Sequence, residues 1–207
     1  MVRVKICGVT RPEDVRLIAR EGADAIGFQM SLGPRKITPA QAKRLVKQVP
    51  PFVTPVGVFV DEPLAKLKAL IKYCGFQAVQ LHGDEKADFA QALGLPVIKA
   101  LRMKNANSPR LYRDFRVAAF LLDRYNKDKR GGTGETFDWK WARQASASLP
   151  APVLLAGGLT PENVVKAVQT ARPFGVDVAS GVEILPGRKD PRKVSQFIRR
   201  AKKAVQA

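Results

Sequence analysis

Cys7 stands where one predicted element gives way to the next. Residues 2–8 form a short, β-branched-rich segment typical of a strand, and Thr10 and Glu13 are spaced as the capping box of a following helix. α/β proteins place their chemistry at such junctions, where a side chain faces outward from a rigid scaffold. A thiol there, with an ordinary pKa of about 8.5, can act as a general base once a nearby cation lowers that pKa. The alternative is a small buried apolar side chain, the commonest state of cysteine.

Asp123 is the second candidate for acid–base chemistry. It ends the apolar segment 118–122, and a carboxyl group in that position is partly desolvated, which suits it to general-acid work. The alternative is a structural salt bridge to Arg124 or Lys99. The other cysteine, Cys74, lies on the apolar face of a predicted helix and fits a buried structural role.

Polar residues near the ends of other predicted strands are candidates for contact with a small molecule. Arg35 follows the rigid turn Gly33-Pro34, which can present its guanidinium group to an anionic ligand. His82 is the only histidine, and its position at a strand end is more typical of a ligand contact than of a core residue. The candidates of this kind are Arg35, Gln80, His82 and Asp177.

Glycines follow the last two predicted strands. Gly157 and Gly158 come after the seventh, and Ser180 and Gly181 after the eighth. Glycine lets an anion approach the backbone N–H groups, and a short helical turn after the eighth strand would add its positive end. The alternative is a pair of tight turns without a ligand. Two such turns on consecutive final strands favour a phosphate site.

Strand-like and helix-like segments alternate along the whole chain, which predicts a parallel sheet. Eight units in one chain of this size predict a closed (β/α)8 TIM barrel forming a single domain over residues 1–207, with an open doubly wound sheet as the alternative. The predicted strands are 2–8, 25–30, 55–60, 78–82, 96–102, 118–123, 152–156 and 176–180. The predicted helices are 11–21, 39–49, 63–74, 85–93, 109–115, 138–148, 161–171 and 191–205.

Local signals mark several boundaries. Thr38, Thr160 and Asp190 each precede a proline, a pattern typical of a capping residue followed by the first helical position. The segment 124–137 is long for a loop in a compact barrel, which predicts a lid or binding loop.

The composition is that of an ordinary globular protein, with 45% hydrophobic and 26% charged residues in 207. No apolar run approaches the roughly 20 residues that span a membrane. Because residues 2–8 already resemble a strand, we expect no signal peptide. The two cysteines have no metal-like spacing, so we expect reduced thiols in the cytoplasm.

The formal net charge of +18 is the unusual property of the sequence. In the segments 42–49, 64–72 and 197–205, basic residues interleave with apolar residues at helical spacing. This pattern is typical of helix faces in contact with solvent. A nucleic-acid-binding barrel is the alternative, and it would show a steep salt dependence of binding. We expect neither a nucleic acid nor a membrane as partner.

A base and an acid, without a metal cluster or a dinucleotide-binding fingerprint, predict cofactor-free proton transfer on a phosphorylated small molecule. Isomerase or aldolase-like chemistry fits this description.

An ordered set of motifs also resembles a known family. From about residue 3 to about residue 200 the motifs are KICGVT at 5–10, GADAIGF at 22–28, VGVFV at 56–60, VQLHGD at 79–84, LD at 122–123, GGTG at 131–134 with FDW at 137–139, LAGGL at 155–159 and GVDVASGVE at 175–183. Together they resemble the phosphoribosylanthranilate isomerase family of tryptophan biosynthesis. Two features depart from the family pattern: Gly33 stands where a serine is usual, and the net charge is high.

The resemblance implies a (β/α)8 barrel that performs a cofactor-free Amadori rearrangement, the third step of tryptophan synthesis from chorismate. N-(5-phosphoribosyl)anthranilate would become 1-(2-carboxyphenylamino)-1-deoxyribulose 5-phosphate. Asp123 would protonate the ribose ring oxygen, Cys7 would remove the C2 proton, and Arg35 would hold the anthranilate carboxylate. The phosphate would be bound by Gly157, Gly158, Ser180 and Gly181, the site would be lined by Gln80, His82 and Asp177, and the loop 131–134 would cover it. The protein would be a monomer or a homodimer.

The related aminosugar isomerase of histidine biosynthesis, or an enzyme that accepts both substrates, is the nearest enzymatic alternative. That family carries an aspartate where Cys7 stands, so Cys7 discriminates between the two.

Overall fold

A computed structural model of the chain describes residues 1–124 and 138–204. Eight parallel strands, each paired with the next along the chain, close into a barrel because the eighth also pairs with the first. They are β1 (Arg3–Cys7), β2 (Ala25–Gln29), β3 (Thr54–Phe59), β4 (Ala78–Leu81), β5 (Val97–Met103), β6 (Ala119–Arg124), β7 (Val153–Leu155) and β8 (Gly175–Val178). The predicted barrel is confirmed, and the open-sheet alternative is wrong.

Helices pack around the barrel and connect its strands. Within the described residues the α-helices are α1 (Pro12–Arg20), α2 (Pro39–Val46), α3 (Leu64–Cys74), α4 (Ala87–Gln91), α5 (Trp139–Ser148), α6 (Val164–Ala171) and α7 (Pro191–Lys203). The helix predicted at 109–115 is instead a short 3₁₀ helix, Ser108–Tyr112. Leu111 is largely exposed there, so the segment lacks the continuous apolar stripe that stabilises an α-helix against a core.

Two of the predicted helix starts are confirmed. Thr38 caps α2 by accepting a hydrogen bond from the Gln41 backbone N–H, and the Gln41 side chain completes a capping box. Asp190 caps α7 in the same way, by accepting from the backbone N–H groups of Arg192 and Lys193.

The capping box predicted at Thr10 and Glu13 is wrong. α1 begins at Pro12, so its capping position is Arg11, which forms no side-chain cap, and the Thr10 hydroxyl donates to the Gly187 carbonyl at 2.6 Å. The hydroxyl that local spacing assigned to the helix thus binds a residue that is distant in the sequence.

The start predicted at Thr160 is also displaced. The Asn163 side chain accepts from the Thr160 backbone N–H at 2.8 Å and donates to the Gly158 carbonyl at 2.9 Å. These bonds form an extra turn, so α6 begins only at Val164. The turn fixes the loop that follows β7.

Successive side chains of a strand point to opposite faces of the sheet, so the buried apolar residues form two separate clusters. One face of each strand packs against the helices, while the other face fills the barrel interior. The interior cluster consists of Val56, Ala78, Ile98, Ala100, Ala119, Leu121, Leu154 and Ala156. Residues two positions further along these strands, such as Gln80 and Asp123, share the interior face and lie above this cluster.

A small antiparallel hairpin follows β8 and was not predicted from the sequence. A 3₁₀ turn (Ser180–Val182) leads into β9 (Glu183–Leu185), which pairs with β10 (Arg188–Lys189). Gly187 takes a positive φ of 84° in the connecting turn. Strands this short carry too few residues for an alternating pattern to be recognised.

The basic side chains of the helices lie mainly on exposed faces, as expected. Arg44, Lys66, Lys68, Arg199 and Lys203 are all exposed. In the part of the chain that the structure describes, no helix is long and apolar enough to cross a membrane.

Candidate active site

A cavity of about 360 Å³ opens at the carboxyl ends of the barrel strands, within the usual size range of small-molecule sites. Apolar walls come from Val58, Val60 and Leu32. Six of the ten residues predicted for the site line it: Cys7, Arg35, Gln80, His82, Asp123 and Asp177. The structure thus gathers side chains from β1, β4, β6, β8 and the loop after β2.

Cys7 ends β1 on the interior face and is 5% exposed. Its sulfur has room because the paired residue on β2 is Gly27, where an added Cβ would lie only 2.7 Å from Cys7 Sγ. Burial raises the pKa of the thiol, while the ammonium groups of Lys5 and Lys189 lower it by less. Two cations are therefore near the thiol and each lowers its pKa, but burial outweighs them.

Asp123, His82 and Gln80 form a row of neighbouring side chains, with Asp123 at one end. One carboxylate oxygen accepts from the Arg124 backbone N–H at 2.8 Å, and the other lies 3.4 Å from His82 Nε2. The second ring nitrogen, Nδ1, is 2.8 Å from the Gln80 amide nitrogen. An amide NH₂ only donates, so Nδ1 accepts from Gln80 in this arrangement, and Nε2 faces the Asp123 carboxylate.

The salt bridge considered between Asp123 and Lys99 is not formed. Lys99 is on the outer face of β5, where its ammonium donates to the Gly83 carbonyl and to Glu85, each at 2.7 Å. Asp123 therefore faces the cavity rather than this cation.

The guanidinium of Arg35 forms an ion pair with the Glu183 carboxylate. Its Nε lies 2.8 Å from Glu183 Oε1, and its Nη2 also donates to the Glu183 carboxylate. Lys189 donates to the same carboxylate at 2.8 Å and to the Cys7 carbonyl at 2.6 Å. The hairpin after β8 therefore anchors both Arg35 and the end of β1.

The four residues predicted to bind phosphate do not line the cavity, although Ala179, directly before Ser180, does. Gly157 and Gly158 have positive φ angles of 81° and 66°, and within the described residues their backbone N–H groups have no hydrogen-bond acceptor. A Cβ on Gly157 would lie 2.9 Å from Asp123 Oδ1, and one on Gly181 would overlap the Leu159 carbonyl oxygen at 1.9 Å. The two loops are thus in close contact, and their glycines permit it.

Sequence analysis missed the buried charges beneath the cavity. Lys5, Lys189 and Glu183 are all at most 8% exposed. Of these three residues, only Lys5 could have been found from the sequence: it lies two positions before Cys7 on β1 and therefore points into the same barrel interior. The predicted lid at 124–137, including the loop 131–134, falls outside the described residues beyond Arg124.

Glu183 stabilises the fold in a pH-dependent way. Its ion pairs with Arg35 and Lys189 hold the pKa of its carboxyl group below the ordinary value in spite of burial. The pairs therefore contribute stability above the unfolded-state pKa, about 4.3, and that contribution is lost as the pH falls through the lower folded-state pKa. Glu183→Gln should cost roughly 3–5 kcal/mol at pH 7, because it leaves two cations without their carboxylate.

Urea unfolding of the wild type and of Glu183→Gln at pH 7 and pH 3 measures this effect, and the difference in stability between the two proteins should be smaller at pH 3. Glu162→Gln is the matched control, since Glu162 is an exposed glutamate. Equal stability of Glu183→Gln and the wild type at pH 7 would contradict the assignment.

Known proteins resemble this chain over almost its full length. Residues 4–200 match the family model for N-(5'-phosphoribosyl)anthranilate isomerase. The chain belongs to the N-(5'-phosphoribosyl)anthranilate isomerase family. The isomerase of Geobacter sulfurreducens is 49% identical over 203 residues, which cover 98% of this chain and 99% of that one.

Solved structures of phosphoribosylanthranilate isomerases share the fold closely. One, in complex with reduced 1-(o-carboxyphenylamino)-1-deoxyribulose 5-phosphate, superposes with a TM-score of 0.87 at 39% identity, covering 98% of this chain and 99% of that one. Another, of monomers generated from the dimeric Thermotoga maritima enzyme, has a TM-score of 0.85 at 38% identity, with the same coverage.

Proposed function

We propose that this protein converts N-(5-phosphoribosyl)anthranilate to 1-(2-carboxyphenylamino)-1-deoxyribulose 5-phosphate, the third step of tryptophan synthesis from chorismate. The observation that carries the proposal is a single cavity lined by both a thiol, Cys7, and a carboxyl group, Asp123, in a barrel of the isomerase family. An Amadori rearrangement needs one group to give a proton and another to take one.

Asp123 acts first, as the general acid. It donates its proton to the ribose ring oxygen, the C1–O bond breaks, and the nitrogen lone pair forms an iminium group. His82 Nε2 lies 3.4 Å from the Asp123 carboxylate and has no hydrogen-bond partner in the described residues, so it can donate to that carboxylate once the proton has left.

Cys7 acts second, as the general base. It removes the proton from C2, and the electrons of the C2–H bond form a C1–C2 double bond while the iminium nitrogen regains its lone pair. The enolamine then tautomerises to the ketone. A positive iminium beside the sulfur favours the thiolate by charge attraction, so the buried thiol becomes a better base once the ring has opened.

The remaining groups hold the two ends of the substrate. Arg35 binds the anthranilate carboxylate, for which Glu183 keeps its guanidinium in place. The phosphate is bound by backbone N–H groups at Gly157, Gly158, Ser180 and Gly181, in the loops that usually bind phosphate in this fold. Gln80, which is buried, has an amide oxygen without a partner in the described residues and can accept a hydrogen bond from the substrate.

We place the protein in the cytoplasm, where a reducing environment keeps the free thiols of Cys7 and Cys74 reduced. A homodimer is the assembly that the dimeric Thermotoga maritima relative suggests.

The direct test uses purified protein and the substrate alone. Anthranilate fluorescence of N-(5-phosphoribosyl)anthranilate should fall in proportion to enzyme concentration, without any added cofactor, and mass spectrometry should find a product of unchanged mass. Folded protein that leaves the fluorescence at the spontaneous decay rate would overturn the proposal.

The two cysteines should differ in reactivity. Cys7 lines the cavity, whereas Cys74 is the last residue of α3 and its sulfur packs against α2, 3.6 Å from the Pro39 carbonyl. Iodoacetamide should therefore inactivate the enzyme through Cys7, and a product analogue should slow the reaction. Cys74→Ala should keep its activity and lose some stability, about 1 kcal/mol. Inactivation of Cys7→Ser at the wild-type rate would show that another group is the target.

A further inference from the structure

Lys5 is a cation in the barrel interior, with 1% of its side chain exposed. Its ammonium donates to Asp177 Oδ1 at 2.8 Å, and the two residues are register partners on β1 and β8. Replacing a buried ion pair by apolar residues is often neutral or stabilising, so stability alone is a weak reason for this pair.

The ammonium lies next to the sulfur of Cys7. Lys5 and Cys7 are two positions apart on β1 and share its interior face. The position that a Cβ on Gly27 would take is 3.2 Å from Lys5 Nζ and 2.7 Å from Cys7 Sγ. The cation and the thiol therefore flank one point on β2, with no side chain between them.

Charged side chains from four parts of the fold interact with the Cys7 thiol. Lys5 lies on β1, Asp177 on β8, Lys189 on β10, and Arg35 on the loop after β2. Glu183 pairs with both Lys189 and Arg35, which offsets much of their charge. Lys5 is the strongest of these charges at the thiol, and Asp177, which opposes it, acts more weakly. The Asp177 carboxylate also raises the pKa of Lys5, which keeps it an ammonium.

We propose that Lys5 is a positioning residue for the base: its ammonium, held by Asp177, stabilises the thiolate form of Cys7. The inference rests on the proposed function, in which Cys7 removes the C2 proton. Lys5 offsets part of the cost of burying a thiolate, and the iminium supplies the rest during turnover. Lys5 itself gives no proton to the substrate.

The test is the pH dependence of Cys7 alkylation by iodoacetamide, measured in a Cys74→Ala background so that only one thiol reports. Lys5→Met keeps an unbranched side chain of similar volume, shorter by one atom, and removes its charge. We expect the midpoint of the rate–pH profile to rise by about one pH unit or more, so that alkylation at pH 7 slows roughly tenfold. Lys5→Arg, which keeps the charge, should stay near the wild-type midpoint.

A double variant covers the case in which Lys5→Met does not fold because Asp177 is left unpaired. Lys5→Met with Asp177→Asn removes both charges, and its midpoint should still rise, since Lys5 acts on the thiol more strongly than Asp177. A wild-type midpoint in a folded Lys5→Met protein, or in the double variant, would overturn the proposal.

Alkylation needs no substrate, so its outcome is independent of the proposed function. A wild-type protein that alkylates as expected but leaves N-(5-phosphoribosyl)anthranilate unchanged would overturn the isomerase assignment alone. With an active enzyme, Lys5→Met should also move the acid limb of the kcat/KM profile, which reports the free enzyme, to higher pH by the same amount. An unmoved limb would argue against the proposal, because a purely structural loss would lower kcat/KM equally at every pH.

Discussion

Cys7→Ala and Asp123→Asn should each lower kcat by at least ~100-fold, the usual contribution of a general acid–base group. Both residues line the cavity, and neither replacement introduces a new charge into it. In Asp123→Asn the amide oxygen can still accept the hydrogen bond from the Arg124 backbone N–H, so the loop after β6 should keep its position. KM should change much less than kcat, because proton transfer is lost while the contacts to both ends of the substrate remain.

Steady-state kinetics and thermal unfolding, measured on the same preparations, separate chemistry from folding. Cys74→Ala is the matched control, since it removes an equally buried thiol outside the cavity. Near-normal turnover by Cys7→Ala would show that another group takes the C2 proton.

Gly181→Val should weaken binding of the substrate and of inorganic phosphate. Its Cβ would overlap the Leu159 carbonyl oxygen, so the loops after β7 and β8 would have to separate and their N–H groups would no longer converge. In the wild type, phosphate or sulfate should compete with substrate at millimolar concentration, since a 1 mM constant corresponds to about −4 kcal/mol. We expect that competition to become at least ~10-fold weaker in Gly181→Val, the equivalent of about 1.4 kcal/mol.

Inhibition kinetics and a crystal grown from sulfate both examine this site. Gly94→Ala is a control for glycine replacement outside the site: its positive φ of 69° makes the change costly for the backbone, but the added Cβ has nothing within 4 Å. Sulfate bound only to the lysine-rich helix faces, together with an absence of competition, would exclude a phosphate site between these loops.

Residues whose surroundings are set by strand geometry were predictable. Cys7, Gln80, Asp123 and Asp177 each end or nearly end a strand, and closure of the barrel necessarily brings those ends together. The same reasoning located the loops after β7 and β8. It required only the alternation of strands and helices, which short-range sequence patterns reveal.

Residues whose surroundings depend on remote partners were not predictable. Arg35 was expected to face a ligand, but the carboxylate of Glu183, 148 residues away, already holds most of its guanidinium. The Thr10 hydroxyl does not form the predicted cap and donates to a carbonyl 177 residues further along the chain. Local spacing contains no information on such contacts, and the hairpin that provides them is too short to be recognised from its pattern.

The contacts that complete the site join the two ends of the polypeptide, which has a consequence for protein synthesis. A ribosome releases β1 and the loop after β2 early, but the partners of their residues are translated last. The pairs are Lys5 with Asp177, Arg35 with Glu183, and Lys189 with the Cys7 carbonyl. A nascent or prematurely terminated chain that ends before β8 therefore holds its nucleophilic thiol without these partners. Catalytic competence arrives only when translation is nearly complete.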